Sequence, residues 1–228
     1  MLKRHKIKYF SDHNQFTSII LEAYNYVVDK FAEDESSDSH SLEHTIRVTN
    51  TCIKLTKKLG GAIDVIVLAA LFHDVGRTVE KKTGKCHAEV SASIVSEFLK
   101  KKGLEPLIKE VSEAILSHRY SKGIEPKTKE AKILQDADAL DALGSIGLYR
   151  TISYSIESKR DLKKAKEHFY EKLFKLPSHM HFRITKNLAH RKCVILKSFI
   201  SGLDSESIDS DYERIFQQIK NINRLQKT

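Results

Sequence analysis

The stretch IDVIVLAALFHDVGR, residues 63–77, decides the fold of this chain. It begins as a helix so apolar that it must be buried on nearly every side, as in the core of an all-helical domain. At its end His73 and Asp74 stand side by side, followed by Val75 and Gly76. A carboxylate beside an imidazole is unfavourable to bury unless something compensates, and one metal ion pairs with both groups. The stretch therefore predicts a metal site with ligands from several helices.

The composition of the chain favours one all-α domain. A length of 228 residues suffices for one sizeable core. Hydrophobic residues make up 40% of the chain and charged residues 30%, which is ordinary for a globular protein. Only 9 glycines and 3 prolines interrupt the chain, and this favours long helices over the short strands of a sandwich or barrel.

The ends of the chain and its cysteines indicate a cytoplasmic protein that does not act at a membrane. No run approaches the roughly 18 apolar residues that a membrane span needs. The N-terminus MLKRHKIKYF is basic but lacks the apolar region and cleavage site of a signal peptide. Cys52, Cys86 and Cys193 are widely spaced and odd in number, which is typical of free thiols in a reducing compartment.

The net charge of +9 and the pI near 9.3 allow three explanations. The first is a generally basic surface, the second a basic pocket for a nucleotide-type substrate, and the third a nucleic-acid surface. Lysines are spread through the whole chain with acidic residues between them, and aromatic residues are not interleaved with a basic run. We therefore rank nucleic acid last.

Apolar periodicity predicts a series of helices and the divisions of the chain. We divide it into a basic N-terminal segment (1–15), a domain (16–206) and a C-terminal helix that packs on the domain (207–228). The predicted helices cover 16–31, 42–59, 63–76, 87–102, 106–118, 132–150, 162–176, 182–200 and 212–225, and the predicted polar loops cover 33–41, 78–85, 119–130 and 153–160.

Five helical segments each place an ionisable residue or pair on a face that should be apolar. A buried histidine alone is more often hydrogen-bonded to a carbonyl, and a lone aspartate is more often capped or paired with arginine. Five such cases scattered through a core would cost several kcal/mol for each unpaired group, whereas gathering them creates a metal centre. The residues are His44, His73 with Asp74, His87, His118 and Asp138.

The nature of these side chains narrows the choice of ion. Imidazoles and carboxylates form a mixed nitrogen and oxygen set that suits Mn²⁺, Fe²⁺, Co²⁺, Ni²⁺ or Mg²⁺, with positions left for water. No cysteines occur at ligand spacing, which argues against a structural zinc site. Mn²⁺ is our first choice.

The order His44, His73-Asp74, Asp138 resembles the H…HD…D signature of the HD-domain metal-dependent phosphohydrolases. The stretches FHDVGR, HAEVSA, ILSHRYSKG, ILQDADALDALGSIGLYR, HFYEKLFKL and AHRK extend the resemblance over residues 17 to 206. They resemble a small cytoplasmic subfamily that includes enzymes splitting nucleoside triphosphates, with dNTPs among them, into monophosphate and pyrophosphate. HD proteins also include 5′-nucleotidases, cyclic-nucleotide phosphodiesterases and alarmone hydrolases, so the alternative is a nucleotide phosphomonoesterase or a cyclic-nucleotide phosphodiesterase.

The resemblance implies roles for individual residues. It makes His44, His73, Asp74 and Asp138 the metal ligands, and Asp138 is preferred to Asp136 because it precedes the Leu-Asp pair, as in the family motif. His87 and His118 match positions that bind a second metal or act on the phosphate in relatives. Ala139 and Leu140 stand where relatives often have a basic residue, which alters phosphate contacts.

The expected chemistry is attack of water on phosphorus, with a divalent ion lowering the pKa of the water. Asp74 would orient the water, and His87 or His118 would supply the proton of the leaving group. The phosphates need cations, for which the candidates are Arg77, Lys122, Arg150, Lys172 and Arg191.

A nucleotide is the expected partner, and a homodimer is compatible with the sequence. The rival interpretation is a metal-stabilised regulatory or nucleic-acid-binding module without turnover. The presence of every signature residue argues against it.

Overall fold

The computed structural model describes residues 8–10, 12–32, 42–206 and 215–220. Within these ranges the chain is helical and contains no β-strand, which confirms the all-α class. The longer helices are α1 (His13–Ala32), α2 (Leu42–Leu59), α3 (Ile63–Phe72), α4 (Arg77–Thr83), α5 (His87–Lys101), α6 (Glu105–Leu116), α7 (Lys129–Asp141), α8 (Gly144–Glu157), α9 (Leu162–Glu171), α10 (Leu176–His179) and α11 (Arg183–Glu206). Short 3₁₀ turns cover Tyr120–Lys122 and Leu173–Lys175.

Helix α3 is the centre of the larger apolar core. Each of its ten residues is buried, and α1, α2, α5, α6 and α7 pack around it. Ile66, Leu68 and Phe72 are fully buried, and each such side chain contributes about 1.5–3 kcal/mol by leaving water. The burial of α3 on all sides, predicted from its composition, is confirmed, and it fixes the position of the His-Asp pair that follows.

The start of α3 is tied to the N-terminal segment by Asp64. Its Oδ2 atom accepts hydrogen bonds from the backbone amides of Lys8 and Tyr9 at 2.8 and 2.7 Å. Phe10 is buried in the core, and α1 begins at His13. The boundary at residue 15 is therefore corrected, since residues 8–10 belong to the packed domain.

A second apolar cluster joins α8, α9, α10 and α11 to the end of α7. Helix α7 contributes to both clusters: Ile133 and Leu134 lie in the larger core, whereas Leu140 packs with Phe169 and Leu196 in the smaller one. The two clusters therefore meet along α7. This helix also carries Asp138, between Ala137 of the larger cluster and Leu140 of the smaller one.

Three predicted elements differ from the structure. The segment 78–85, predicted as a loop, is largely the helix α4, and none of its residues is buried. The predicted helix 132–150 is two helices, because Gly144 adopts φ +76° and turns the chain between α7 and α8. The predicted helix 162–176 is interrupted after Glu171.

Two predicted loops and the predicted C-terminal helix also differ from the structure in part. The segment 119–130 contains a 3₁₀ turn, and α8 extends through most of the predicted loop 153–160. Residues 215–220 are helical, but all six are exposed, so this part does not pack on the domain as expected. The loop 33–41 and the rest of 207–228 lie outside the described residues. In the described part of the chain, no helix is long and apolar enough to cross a membrane.

Candidate metal centre

Four imidazoles and two carboxylates from separate parts of the chain converge at one point of the fold. Five of the six residues are buried, whereas the Asp138 side chain is 30% exposed to the cleft. All six were predicted from the sequence. His44 comes from α2, His73 and Asp74 from the turn between α3 and α4, His87 from the start of α5, His118 from the segment just after α6, and Asp138 from α7.

The first half of the centre contains His44, His73, Asp74 and Asp138. Ligand atoms of the first three all lie within 4.8 Å of one another. His73 donates from Nδ1 to the carbonyl oxygen of Ala70 at 2.7 Å. Its Nε2 atom then presents a lone pair, 3.3 Å from Nε2 of His44. Asp138 Oδ1 lies 3.3 Å from the same His44 atom.

Asp141, which sequence reasoning did not select, fixes the ring of His44. Its Oδ2 atom lies 2.7 Å from His44 Nδ1, while Arg47 donates two hydrogen bonds and Arg150 donates one. Burial would raise the pKa of Asp141, but the hydrogen bonds from His44 and Arg47 hold it well below its usual range. Its spacing of three residues from Asp138, on the same side of α7, was the available signal.

The second half contains Asp74, His87 and His118, whose ligand atoms also lie within 4.8 Å of one another. His118 donates from Nδ1 to the carbonyl oxygen of Ile115 at 2.6 Å, and His87 donates from Nδ1 to Glu80 at 2.7 Å. Asp74 Oδ1 lies 3.3 Å from His87 Nε2 and 3.6 Å from His118 Nε2. Asp74 is therefore common to both halves.

Glu80 was also missed by sequence reasoning. It lies on α4, in the segment predicted as a loop, and it accepts a hydrogen bond from the His87 ring. An outer carboxylate of this kind fixes the tautomer of a metal-binding histidine and raises its basicity. No apolar period marks this helix, so its sequence gave no sign that Glu80 faces the site.

Backbone contact joins the two halves at Gly76. A Cβ atom at this position would lie 2.5 Å from the His87 carbonyl oxygen and 2.8 Å from Val90 Cβ. The Gly76 amide donates to Ser91 Oγ at 2.9 Å. The first turn of α5 thus packs directly on the turn that carries His73 and Asp74, and only glycine allows this approach.

The donor set fits divalent metal ions. The ring nitrogens that point inward are acceptors, because each Nδ1 atom donates to a partner outside the cluster. Converging lone pairs and carboxylates repel one another unless a cation lies between them. Among the described residues, buried His87 Nε2 has no hydrogen-bond partner. Nitrogen and oxygen donors of this kind suit divalent transition metals.

The pKa values of the imidazoles agree with this interpretation. Burial lowers the pKa of His73 to about 4 and that of His87 to about 3, which keeps both rings neutral, the form that binds metal. Burial also opposes the charged form of His44, but hydrogen bonds with Asp138 and Asp141 outweigh it and raise the pKa. The surroundings of His44, with Asp138 and Asp141 beside it, therefore favour a positive charge, which is what a bound cation would supply.

A cleft of about 470 Å³ opens beside the centre, and Asp138 and His118 form part of its wall. Partial burial lowers the pKa of Lys172 in this cleft, and the guanidinium groups of Arg77 and Arg119 lower it further. Arg77 also donates to Asp74 Oδ1 at 3.1 Å. Six basic side chains line the cleft: Arg77, Lys81, Arg119, Arg150, Arg160 and Lys172.

The structure brings three of the five predicted phosphate contacts to this cleft and leaves two outside it. Arg77, Arg150 and Lys172 line it, whereas Lys122 and Arg191 are exposed and do not. The structure therefore does not support phosphate contacts from Lys122 and Arg191, whose side chains are exposed to solvent. Sequence reasoning missed Lys81, Arg119 and Arg160, which flank or lie within the predicted loops.

The proteins that resemble this chain support a metal site in this cluster of side chains. Residues 41–143 match the family model of the HD domain, and this range contains all six converging side chains. YpgQ of Bacillus subtilis is 26% identical over 82% of this chain and 93% of its own length. The crystal structure of YpgQ in complex with ADP superposes with a TM-score of 0.69, covering 86% of this chain and 97% of that one at 22% identity.

Two further relatives complete the comparison. A predicted HD superfamily hydrolase from an uncultured Thermotogales bacterium has a TM-score of 0.62 at 28% identity, covering 82% of this chain and 91% of its own. Ribonuclease Y of Rubrobacter xylanophilus is 30% identical over 53% of this chain, but the match spans only 22% of that protein. The six converging side chains lie inside the range that matches the HD domain, and the resemblance to HD superfamily hydrolases in sequence and fold supports a metal-dependent phosphohydrolase.

Proposed function

We propose that this protein hydrolyses nucleoside triphosphates, deoxynucleotides included, to monophosphate and pyrophosphate. The observation that carries the proposal is that the ligand cluster borders a cleft lined by six basic side chains. Such a cleft attracts and neutralises a polyphosphate, and its volume lies in the range of small-molecule sites. YpgQ, with which this chain shares 26% identity, has been crystallised with ADP, which supports a nucleotide ligand.

The two halves of the centre define the ligands. His44, His73, Asp74 and Asp138 would hold one ion, and Asp74 with His87 and His118 would hold a second. Divalent ions at such sites lower the pKa of water and polarise phosphoryl oxygens. We propose Mn²⁺ as the ion, since mixed imidazole and carboxylate ligands with room for water suit it.

Exposure to the cleft separates the proposed roles of His118, His87 and Arg77. His118 forms part of the cleft wall, whereas His87 is fully buried and does not line the cleft. We therefore assign a ligand role through Nε2 to both histidines, with His118 on the side of the second ion that faces the substrate and His87 on its buried side. Arg77, hydrogen-bonded to Asp74, orients that carboxylate and presents its guanidinium group to phosphate oxygens.

The basic side chains act on the substrate by charge and geometry. Arg150 and Lys172 line the cleft together with Ala139, one of the two positions where relatives often carry a basic residue. Arg150 is anchored by its hydrogen bond to Asp141 at 2.7 Å. A guanidinium group held in this way is pre-organised for a phosphate oxygen. Lys172 and Arg150 therefore supply the positive charge that Ala139 and Leu140 do not.

The experiment is to measure phosphate and pyrophosphate release from a panel of (d)NTPs and (d)NMPs with Mn²⁺, Mg²⁺, Co²⁺ or EDTA. We expect pyrophosphate from triphosphates, lost in EDTA and in His73→Ala and Asp138→Ala. Lys172→Ala should raise KM at least several-fold, whereas Lys122→Ala and Arg191→Ala, matched basic residues outside the cleft, should not. Orthophosphate from monophosphates would instead indicate a nucleotidase. Retarded RNA or DNA migration without turnover would indicate a binding module.

A further inference from the structure

The basic cleft contains an aromatic side chain with a guanidinium group held against its ring. Tyr154 lies near the end of α8 and is 39% exposed. The Arg160 guanidinium carbon lies 4.7 Å from the centre of its ring, and both residues line the cleft. The pair presents a flat, partly apolar surface among otherwise charged and polar walls.

Backbone geometry at the end of α8 holds Arg160 in this position. The Arg160 amide donates back to the Ser155 carbonyl oxygen at 2.8 Å, and the Lys159 amide donates to that of Ile156 at 3.0 Å. Lys159 adopts φ +50°, and it is the only residue other than glycine with positive φ in the described part of the chain. A lysine in this conformation is strained. The turn therefore maintains the contact between Arg160 and Tyr154.

The cleft that contains this pair is also lined by Lys172 and by Asp138 of the metal centre. Lys172 feels the charges of Asp138 and Arg77, which lie at the centre. His168 in turn feels the charges of Lys172 and Arg160. Lys172 thus interacts with charges of the centre, and His168 interacts with Lys172 and with Arg160 of the pair.

We propose that Tyr154 and Arg160 form the platform on which the nucleobase stacks, while the phosphates extend past Lys172 to the metal centre. This inference rests on the proposed function and specifies its substrate as a phosphate chain that carries a planar base. Stacking uses the face that every base possesses and contributes without reading its edge. The enzyme therefore accepts purine and pyrimidine nucleotides alike, and discriminates against a polyphosphate without a base.

The test compares nucleotides with inorganic tripolyphosphate, which carries the charge but no base. KM is measured for the four dNTPs, and the inhibition constant of tripolyphosphate against dATP, in wild type, Tyr154→Leu, Tyr154→Phe and Tyr149→Leu. Tyr149 is the matched control, because it is an exposed tyrosine of α8 that does not line the cleft. Thermal unfolding of each variant shows that it is folded.

Loss of a base stack should raise KM by roughly 5- to 100-fold, the range that alanine substitution of such contacts gives. We expect this increase in Tyr154→Leu for all four dNTPs, with kcat changed little and the inhibition constant of tripolyphosphate changed less than threefold. Tyr154→Phe should restore the wild-type KM, and Tyr149→Leu should resemble wild type.

Two results would overturn the platform. One is an equal rise in the dNTP KM and the tripolyphosphate inhibition constant in Tyr154→Leu, which would mean that the residue shapes the phosphate site. The other is an unchanged KM in that variant. Absence of nucleotide turnover by the wild-type protein would instead contradict the proposed function itself, so the two failures are distinguishable.

Discussion

The two halves of the metal centre share Asp74 but differ in the chemistry of their other ligands. The first half adds Asp138 to two imidazoles, and Asp141 stands behind His44. The second half adds only imidazoles, and its outer carboxylate, Glu80, has a side chain that is 28% exposed. The first half is therefore richer in negative charge, and its outer carboxylate is better shielded from water than Glu80.

This difference predicts an order of affinity. A divalent cation gains more from two carboxylates in low-dielectric surroundings than from one. An outer carboxylate that is buried and held by Arg47 and Arg150 also keeps its histidine more rigidly than a partly exposed one. We expect tight binding of one ion in the first half and weaker, exchangeable binding of a second ion in the other half.

The largest effect should come from the side chain that both halves share. Asp74→Asn removes the common carboxylate charge, and we expect turnover to fall roughly 1000-fold or more. Metal content measured after gel filtration should fall in both halves. Retention of a full metal complement in this variant would show that the two halves are independent.

The next effect separates the halves. Asp138→Ala should lower turnover by roughly 100- to 1000-fold and remove the tight ion, while His118→Ala should lower it roughly 10- to 100-fold and leave one ion bound. Metal titration by calorimetry checks the assignment. If His118→Ala loses the tighter ion, the order of affinity proposed above is reversed.

A smaller effect is expected from the outer carboxylates. Substitution of such partners typically lowers metal affinity or activity by about 10- to 100-fold. Asp141→Asn should lie near the upper end of this range, because it also releases Arg47 and Arg150, and Glu80→Gln near the lower end. Measurement of turnover against Mn²⁺ concentration tests this, since a higher ion concentration should restore the turnover of Glu80→Gln more fully than that of Asp141→Asn.

The smallest effect is on the pH dependence of stability in EDTA. The pKa of His87 is lowered to about 3, so its contribution is present above pH 6.5 and is lost as the pH falls below that value. The pKa of His44 is raised, so its contribution is present below pH 6.5 and is lost as the pH rises above it. Each group changes the free energy of unfolding by up to about 1.4 kcal/mol per pH unit.

Variants separate these two contributions. His87→Gln should flatten the acid side of the profile and His44→Gln the alkaline side, as measured by urea unfolding between pH 4 and 9. An acid side that is equally steep in wild type and His87→Gln would contradict the assignment of that slope to His87.

The six converging side chains were predictable from sequence because each lies on or beside an apolar helical face. His44 lies four residues before buried Val48, and Asp138 lies four residues after buried Leu134. Apolar periodicity reveals a polar residue on the apolar face of a single helix. It does not reveal which helices are in contact, so only the structure shows that Asp74 lies close to both His87 of α5 and His118 after α6.

The outer residues were harder to predict for a physical reason. Glu80 lies on a helix without a buried residue, and Arg160 is positioned by a backbone turn after α8. Neither feature produces apolar periodicity. Arg191 was selected from its local context, yet it lies on the exposed side of α11, because a cationic side chain at the surface satisfies its charge with water alone.

The close approach at Gly76 has a consequence for how this centre can be modified. Main-chain atoms, rather than ligand side chains, set the distance between the turn that holds His73 and Asp74 and the helix that begins with His87. Exchanging a histidine for a carboxylate on either side would change the affinity of that half while the gap between the halves stays constant. The protein can therefore be redesigned for other metals one half at a time.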